Sequence, residues 1–160
     1  MPTHRPNAAL VACGLAAALA LAGAAAPGAA DDAAKAFTDR FGARVAQAAA
    51  TKEADDDLAL SADLLAAAKA PNVAPGLLAL LCEKAFALAA AETRGAPTAI
   101  EAMTLLAARA PDKRAACQDR IIDVYQGEYA KARGIEKVKA GETLVRQIIR
   151  FADARVEETD

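Results

Sequence analysis

Apolar side chains recur at steps of three and four along this chain, and no stretch alternates β-branched and polar residues as a half-buried strand would. Phe37, Phe41 and Val45 (or Ala48) share one face of a predicted helix over 31–50. A polar break, ATKEADDD, separates it from a second helix over 53–70, with Leu58, Ala62 and Leu65 inward. PNVAPG is a turn cluster, and Pro75 opens a third helix that runs to about Thr93 with Leu77, Leu80, Leu81, Ala85 and Leu88 on its apolar stripe. After RGAPT a fourth helix runs to Ala110. Pro97 in its first turn and a Thr98/Glu101 capping box are equally good starts. Asp112 caps a fifth helix to Arg133, carrying Ile121, Ile122, Val124, Tyr125 and Tyr129. Gly134 stands where a residue just past a helix end belongs, with Lys131 and Arg133 in the preceding turn. A sixth helix then spans 135–157, with Val145, Ile148, Ile149, Ala152 and Val156 facing in.

One pattern occurs twice. ALSADLLAAAKAP, Ala59 to Pro71, returns forty residues later as AIEAMTLLAARAP, Ala99 to Pro111, with seven of thirteen positions identical. Each copy is the second helix of a two-helix unit and ends on a proline that begins the next unit. The units are 31–71, 72–111 and 112–158, the last one degenerate. A single helix pair cannot bury its apolar face, whereas three stacked pairs bury a continuous core.

Composition agrees with an all-helical domain. Alanine fills 48 of 160 positions, tryptophan is absent, and phenylalanine and tyrosine together number six. The first thirty residues are a separate object. MPTHRPN is basic, Ala8 to Ala26 is apolar, and PGAADD follows, the order of a secretory signal peptide with cleavage expected after Ala30. Two other readings of this segment stand beside it. LVAC, Leu10 to Cys13, resembles a lipobox, although the apolar run continues well past the cysteine. An uncleaved anchor is the other, although nineteen weakly apolar residues make a poor span. Residues 31–160 then form the working domain, placed in the periplasm or secreted, with no stable membrane insertion after cleavage. Processing removes His4, the one histidine, and leaves 18 bases against 21 acids, a net charge of −3. That balance gives no electrostatic reason to expect nucleic acid.

The repeated segments resemble the second helices of tetratricopeptide-like repeats, which open on a small residue and meet a proline twelve positions later, as Ala59/Pro71 and Ala99/Pro111 do. The first helices lack that family's tryptophan, Leu-Gly pair and tyrosine, with Phe86-Ala87 the nearest approach, and the period is forty rather than thirty-four. HEAT-like repeats, with periods near forty, are the other candidate. The resemblance implies antiparallel helical hairpins stacked as a short α-solenoid of about six helices. It implies a protein or peptide partner in a groove lined by the first, third and fifth helices, with Lys84 and Arg120 as candidate groove contacts. The carboxylate clamp of one branch of the family is not expected, because the one asparagine after the leader, Asn72, lies in a turn.

The chemistry-bearing residues carry little. Glu53, Asp55, Asp56 and Asp57 are the densest acidic run. Counted from Asp55, however, a calcium loop would need a glycine where Leu60 stands and a glutamate where Ala66 stands. With no histidine after the leader, Ser61 has no imidazole base, and two cysteines alone make a poor zinc site. The densest basic stretch, Tyr129 to Lys139, reads either as an anionic-surface or nucleic-acid contact or as cation placement around a helix end. Tyr125 and Tyr129 either stack on a ligand or pack on a neighbouring helix. Export leaves Cys82 and Cys117, a candidate disulfide between the third and fifth helices or two small buried apolar residues. The expectation is an exported, non-catalytic helical binding domain of the bacterial envelope, with no cofactor and no metal. A histidine-independent envelope hydrolase and a structural module of a larger assembly are the alternatives.

Overall fold

The structure is a computed structural model, and it describes residues 27–51 and 53–157. Among the described residues there is no strand. Six α-helices follow one another: α1 (Pro27–Thr51), α2 (Ala54–Lys69), α3 (Pro75–Ala90), α4 (Ala96–Arg109), α5 (Arg114–Lys131) and α6 (Gly134–Glu157). Short 3-10 turns, Thr93–Gly95 and Pro111–Lys113, lead into α4 and α5. Of the expected leader, residues 1–26 lie outside the described residues, and 27–30 form the first turn of α1.

The breaks fall where backbone chemistry puts them. Pro75 and Pro97 sit in first turns, where a missing N–H costs nothing. Asn72 takes a left-handed conformation, φ 62°, in the turn after Pro71. Gly134 does the same at φ 54°, and Arg133 donates to the carbonyls of Ala130 and Ala132, capping the end of α5. Gly95 is required by a close approach: a Cβ there would lie 2.1 Å from the Ala89 carbonyl oxygen. Two expected caps do not form. α4 starts on Ala96 with Pro97 behind it and Gly95 at its N-cap, so Thr98 and Glu101 lie inside the helix. Asp112 belongs to the 3-10 turn, and Lys113 holds the N-cap of α5.

The core is made of leucine, alanine and a few larger side chains: Phe37 and Phe41 from α1, Leu60 and Leu64 from α2, Leu81 and Cys82 from α3, Met103 and Leu106 from α4, Cys117 and Ile121 from α5. Each helix packs on the next in sequence, α1 also reaches α3, and α2 also reaches α4. The α2–α4 contact joins like ends. Asp55 in the first turn of α2 pairs with Arg94 just before α4, while Arg109 at the end of α4 donates to the carbonyls of Ala68 (3.1 Å) and Ala70 (3.3 Å) at the end of α2. Arg109 thereby satisfies acceptors that a helix terminus leaves open.

The thirteen-residue repeat does not carry over into burial. α2 buries Leu60, Ser61, Leu64, Leu65, Ala67 and Ala68. α4 buries Ala99, Ala102, Met103 and Leu106, whose counterparts in α2 are Ala59, Ala62, Asp63 and Ala66, all exposed. At 100° per residue the two buried arcs lie about half a turn apart. The cause is position: α4 packs between α3 and α5, whereas α2 packs against α1 and α3. Ala62, expected inward, therefore faces solvent, while its counterpart Ala102 is fully buried.

A larger correction concerns α6. Val145, Ile148, Ile149, Ala152 and Val156, the expected inner face, all point away from the core. The side that meets α5 carries Ala140, Gly141, Leu144, Phe151 and Ala154, with Phe151 packed against the core. Contacts at both ends fix this rotation. At one end Gly141 lets the Tyr129 ring approach, so that a Cβ would meet it at 3.3 Å, and the Lys137 ammonium lies 4.8 Å over the same ring. At the other, Arg155 donates to Gln118 Oε1 (3.1 Å), Asp119 Oδ1 (2.6 Å) and the Ala115 carbonyl (3.2 Å).

Candidate interaction surface

Of the two residues expected in a groove on the first, third and fifth helices, Arg120 makes contacts between helices. The Arg120 guanidinium lies 5.5 Å over the Phe86 ring and 4.0 Å from Met103 Sδ, joining α5 to α3 and α4. Lys84 is half-buried on α3, next to Glu83, whose carboxylate pairs with Lys113 at 3.7 Å. The basic stretch is spread over helix-end and surface contacts: Lys131 donates to Thr93, Arg133 caps α5, Lys137 covers Tyr129, and Lys139 pairs with Glu136 at 2.8 Å. Asp55, Asp56 and Asp57 occupy the first turn of α2, where they complement the helix dipole. Among the described residues no three His, Cys, Asp or Glu side chains gather closely enough to hold a metal ion. None of the described helices is long and apolar enough to cross a membrane.

Cys82 and Cys117 are free thiols, both buried in the same core cluster. Burial pushes the Cys82 thiol up to about 12, with the neighbouring Cys117 adding to the rise. Burial likewise raises Cys117. Both thiols stay protonated near neutrality, which removes their nucleophilicity.

Two shallow hollows adjoin at Tyr125 and Glu128 on α5. One, about 420 Å³, lies toward α6 and is lined by Lys131, Lys139 and Thr143. The other, about 460 Å³, lies toward α4 and is lined by Pro97, Ile100 and Thr104. Burial raises the Tyr125 phenol, with Glu128 contributing, so it remains a neutral hydrogen-bonding group. Around it both lysines of the first hollow meet partners within the chain, Lys131 with Thr93 and Lys139 with Glu136.

The outer face of α6 is different in kind. Ile135, Val138, Val145, Ile149 and Val156 are 72, 60, 55, 55 and 63 % exposed, and Ile148 lies beside them at 41 %. Together with Glu142 and Ala152 they repeat at alternating steps of three and four, the spacing of a helix that packs along a second helix. The branched aliphatic side chains of this face, interrupted by Glu142 and Ala152, span 22 residues, roughly 32 Å at the α-helical rise, and form an apolar stripe rather than the scattered exposure normal on a protein. The three-four spacing was visible in the sequence. What the sequence does not carry is the rotation of the helix, because that is set by Tyr129, Gln118 and Asp119 on α5.

Comparison with protein families, curated proteins and solved structures returns no match for this chain.

Proposed function

We propose that this chain is a non-catalytic, protein-binding helical module that docks partners through the outer face of α6. The observation that supports it most is the exposed aliphatic row from Ile135 to Val156. An isolated Leu or Val on a surface needs no explanation, but six exposed branched aliphatic residues along one helix face do. The candidate groove residues recede in this reading, since Arg120 serves the core.

The arrangement we adopt is three helix pairs, each folded back on itself and stacked on the next, similar in kind to tetratricopeptide-like arrays. Its supports are the short links between helices, the meeting of like ends of α2 and α4, and the closeness of the Arg155 end of α6 to the start of α5. The opposite burial of α2 and α4 makes the pairs unequal members of the stack. In this reading the outer face of α6, the last of the described helices, is where a following pair would sit in a longer array. Export to the periplasm or beyond, with removal of residues 1–30, completes the proposal.

A capture comparison tests the function. The chain, its Ile149→Glu variant and its Ala66→Glu variant serve as baits in the envelope fraction; Ala66 is an exposed position on α2. Partners retained by the chain and by Ala66→Glu but lost with Ile149→Glu are the expected result. Partners unaffected by Ile149→Glu, with all three baits equally helical, would remove α6 from the account.

A further inference from the structure

The row on α6 is nearly symmetric about its own middle. Read in either direction it presents aliphatic residues at both ends, Ile135 and Val138 at one and Val156 at the other, with Val145, Ile148 and Ile149 between them. A surface that reads alike in both directions suits an isologous contact, in which the same patch serves both partners around a twofold axis. Resting on the reading of α6 as an interaction surface, we propose that its occupant is a second copy of this chain, with the two α6 helices antiparallel and crossing near residue 147.

The register follows from apolar and charged positions together. With the axis at 147, Val145 of each copy faces Ile149 of the other, Val138 faces Val156, and Ile148 meets its own counterpart on the axis. Glu142, the acid in the row, faces Ala152, whose small side chain leaves the carboxylate a path to the rim. On the flank, Lys139 of each copy falls beside Asp153 of the other, and symmetry makes this pair twice. Both residues are exposed, and the pairing Lys139 now has, with Glu136 at 2.8 Å, is a surface contact three residues away on the same helix and exchanges readily. Arg146 meets its counterpart on the opposite flank, with Glu142 one turn before it on the same helix to offset the repulsion. A parallel pairing in register would instead set Lys139 beside Gly134 and Asp153 beside Ile148 of the other copy, leaving both charges without an opposite charge across the seam, so charge favours the antiparallel arrangement. The side of α6 that binds α5 is left unchanged, because Leu144 and Phe151 lie on the opposite face of the helix.

The test uses the full chain as its host processes it, with light-scattering mass read against the mass of the single chain. The expected result is a mass of twice the single chain at micromolar concentration. Val145→Arg, with unchanged helical circular dichroism, should raise the dissociation constant at least tenfold, the effect of about 1.4 kcal/mol. Lys139→Asp should weaken the dimer in the same direction, and combining it with Asp153→Lys should restore it, as only an antiparallel register allows. A monomer at every concentration would overturn the second copy, as would a dimer indifferent to Val145→Arg, or a monomer in which residues 1–26 of the same chain cover Ile149. In those cases partners lost with Ile149→Glu would still uphold the broader reading of α6. Their absence would remove both.

Discussion

Ala62 and Ala102 occupy the same place in two nearly identical thirteen-residue segments, yet one is exposed and the other fully buried. Replacing each by aspartate separates helix propensity from burial. The propensity loss is common to both and amounts to about 0.7 kcal/mol at most. At Ala62 nothing further is required, because the new carboxylate meets water, and the change should stay within about 1 kcal/mol. At Ala102 the side chain enters the core beside Met103 and Leu106. Keeping that carboxyl neutral at pH 7 means raising it from about 3.9 to 7 or above, which costs about 4 kcal/mol at 1.4 kcal/mol per unit. The added volume costs a further 1 to 3 kcal/mol or so. The sum rivals the whole stability of a small domain, about 5 to 15 kcal/mol. Urea titrations followed by far-ultraviolet circular dichroism should therefore show a near-normal midpoint for Ala62→Asp and a largely unfolded chain for Ala102→Asp. Equal losses at the two positions would mean that α2 and α4 bury equivalent faces, and the packing described above would be wrong.

Two further outcomes follow from the core and the turns. Gly95→Ala places a methyl group 2.1 Å from the Ala89 carbonyl oxygen, so the turn into α4 must shift. A loss of about 1 to 3 kcal/mol in the same titration is expected, and a neutral effect would contradict the close approach. Cys82 and Cys117 should resist alkylation in the folded chain at pH 7 and both react once the chain is unfolded without reductant; no reactive thiols after unfolding would show a bridge instead. Because burial raises both thiols, the unfolded chain loses these protons first, and stability should fall as pH rises above about 9, by up to about 1.4 kcal/mol per unit for each thiol. A flat profile there would place the thiols in water.

Most of the helix pattern was legible in the sequence, because helix ends are written locally. Pro75, Pro97 and Gly134 start or end elements by backbone geometry alone, and Phe37, Phe41 and Ala48 show the buried face of α1 directly. Rotation about a helix axis is not local. In α6 two faces are available, one of valine and isoleucine and one of Ala140, Leu144 and Phe151, and hydrophobicity alone favours the first as the inward one. The choice belongs to Gly141 against Tyr129 and to Arg155 against Gln118 and Asp119, contacts between residues 12 and 37 positions apart. The packing role of Arg120 is not legible in the sequence for the same reason: it depends on Phe86 and Met103, in two other helices. The repeat hid a difference of this kind too, since identical residues at Ala62 and Ala102 meet different neighbours.

The central claim is that the outer face of α6 is covered by protein when the chain is at work. Site-specific photo-crosslinking from position 149, in the cells that make the protein, tests it most directly. A crosslinking side chain in place of Ile149 should yield one discrete adduct, twice the mass of the chain if the second copy is the occupant, while the same group in place of Ala66 on α2 yields none. Reaction from position 149 with water alone, on a chain that remains helical, would contradict the claim.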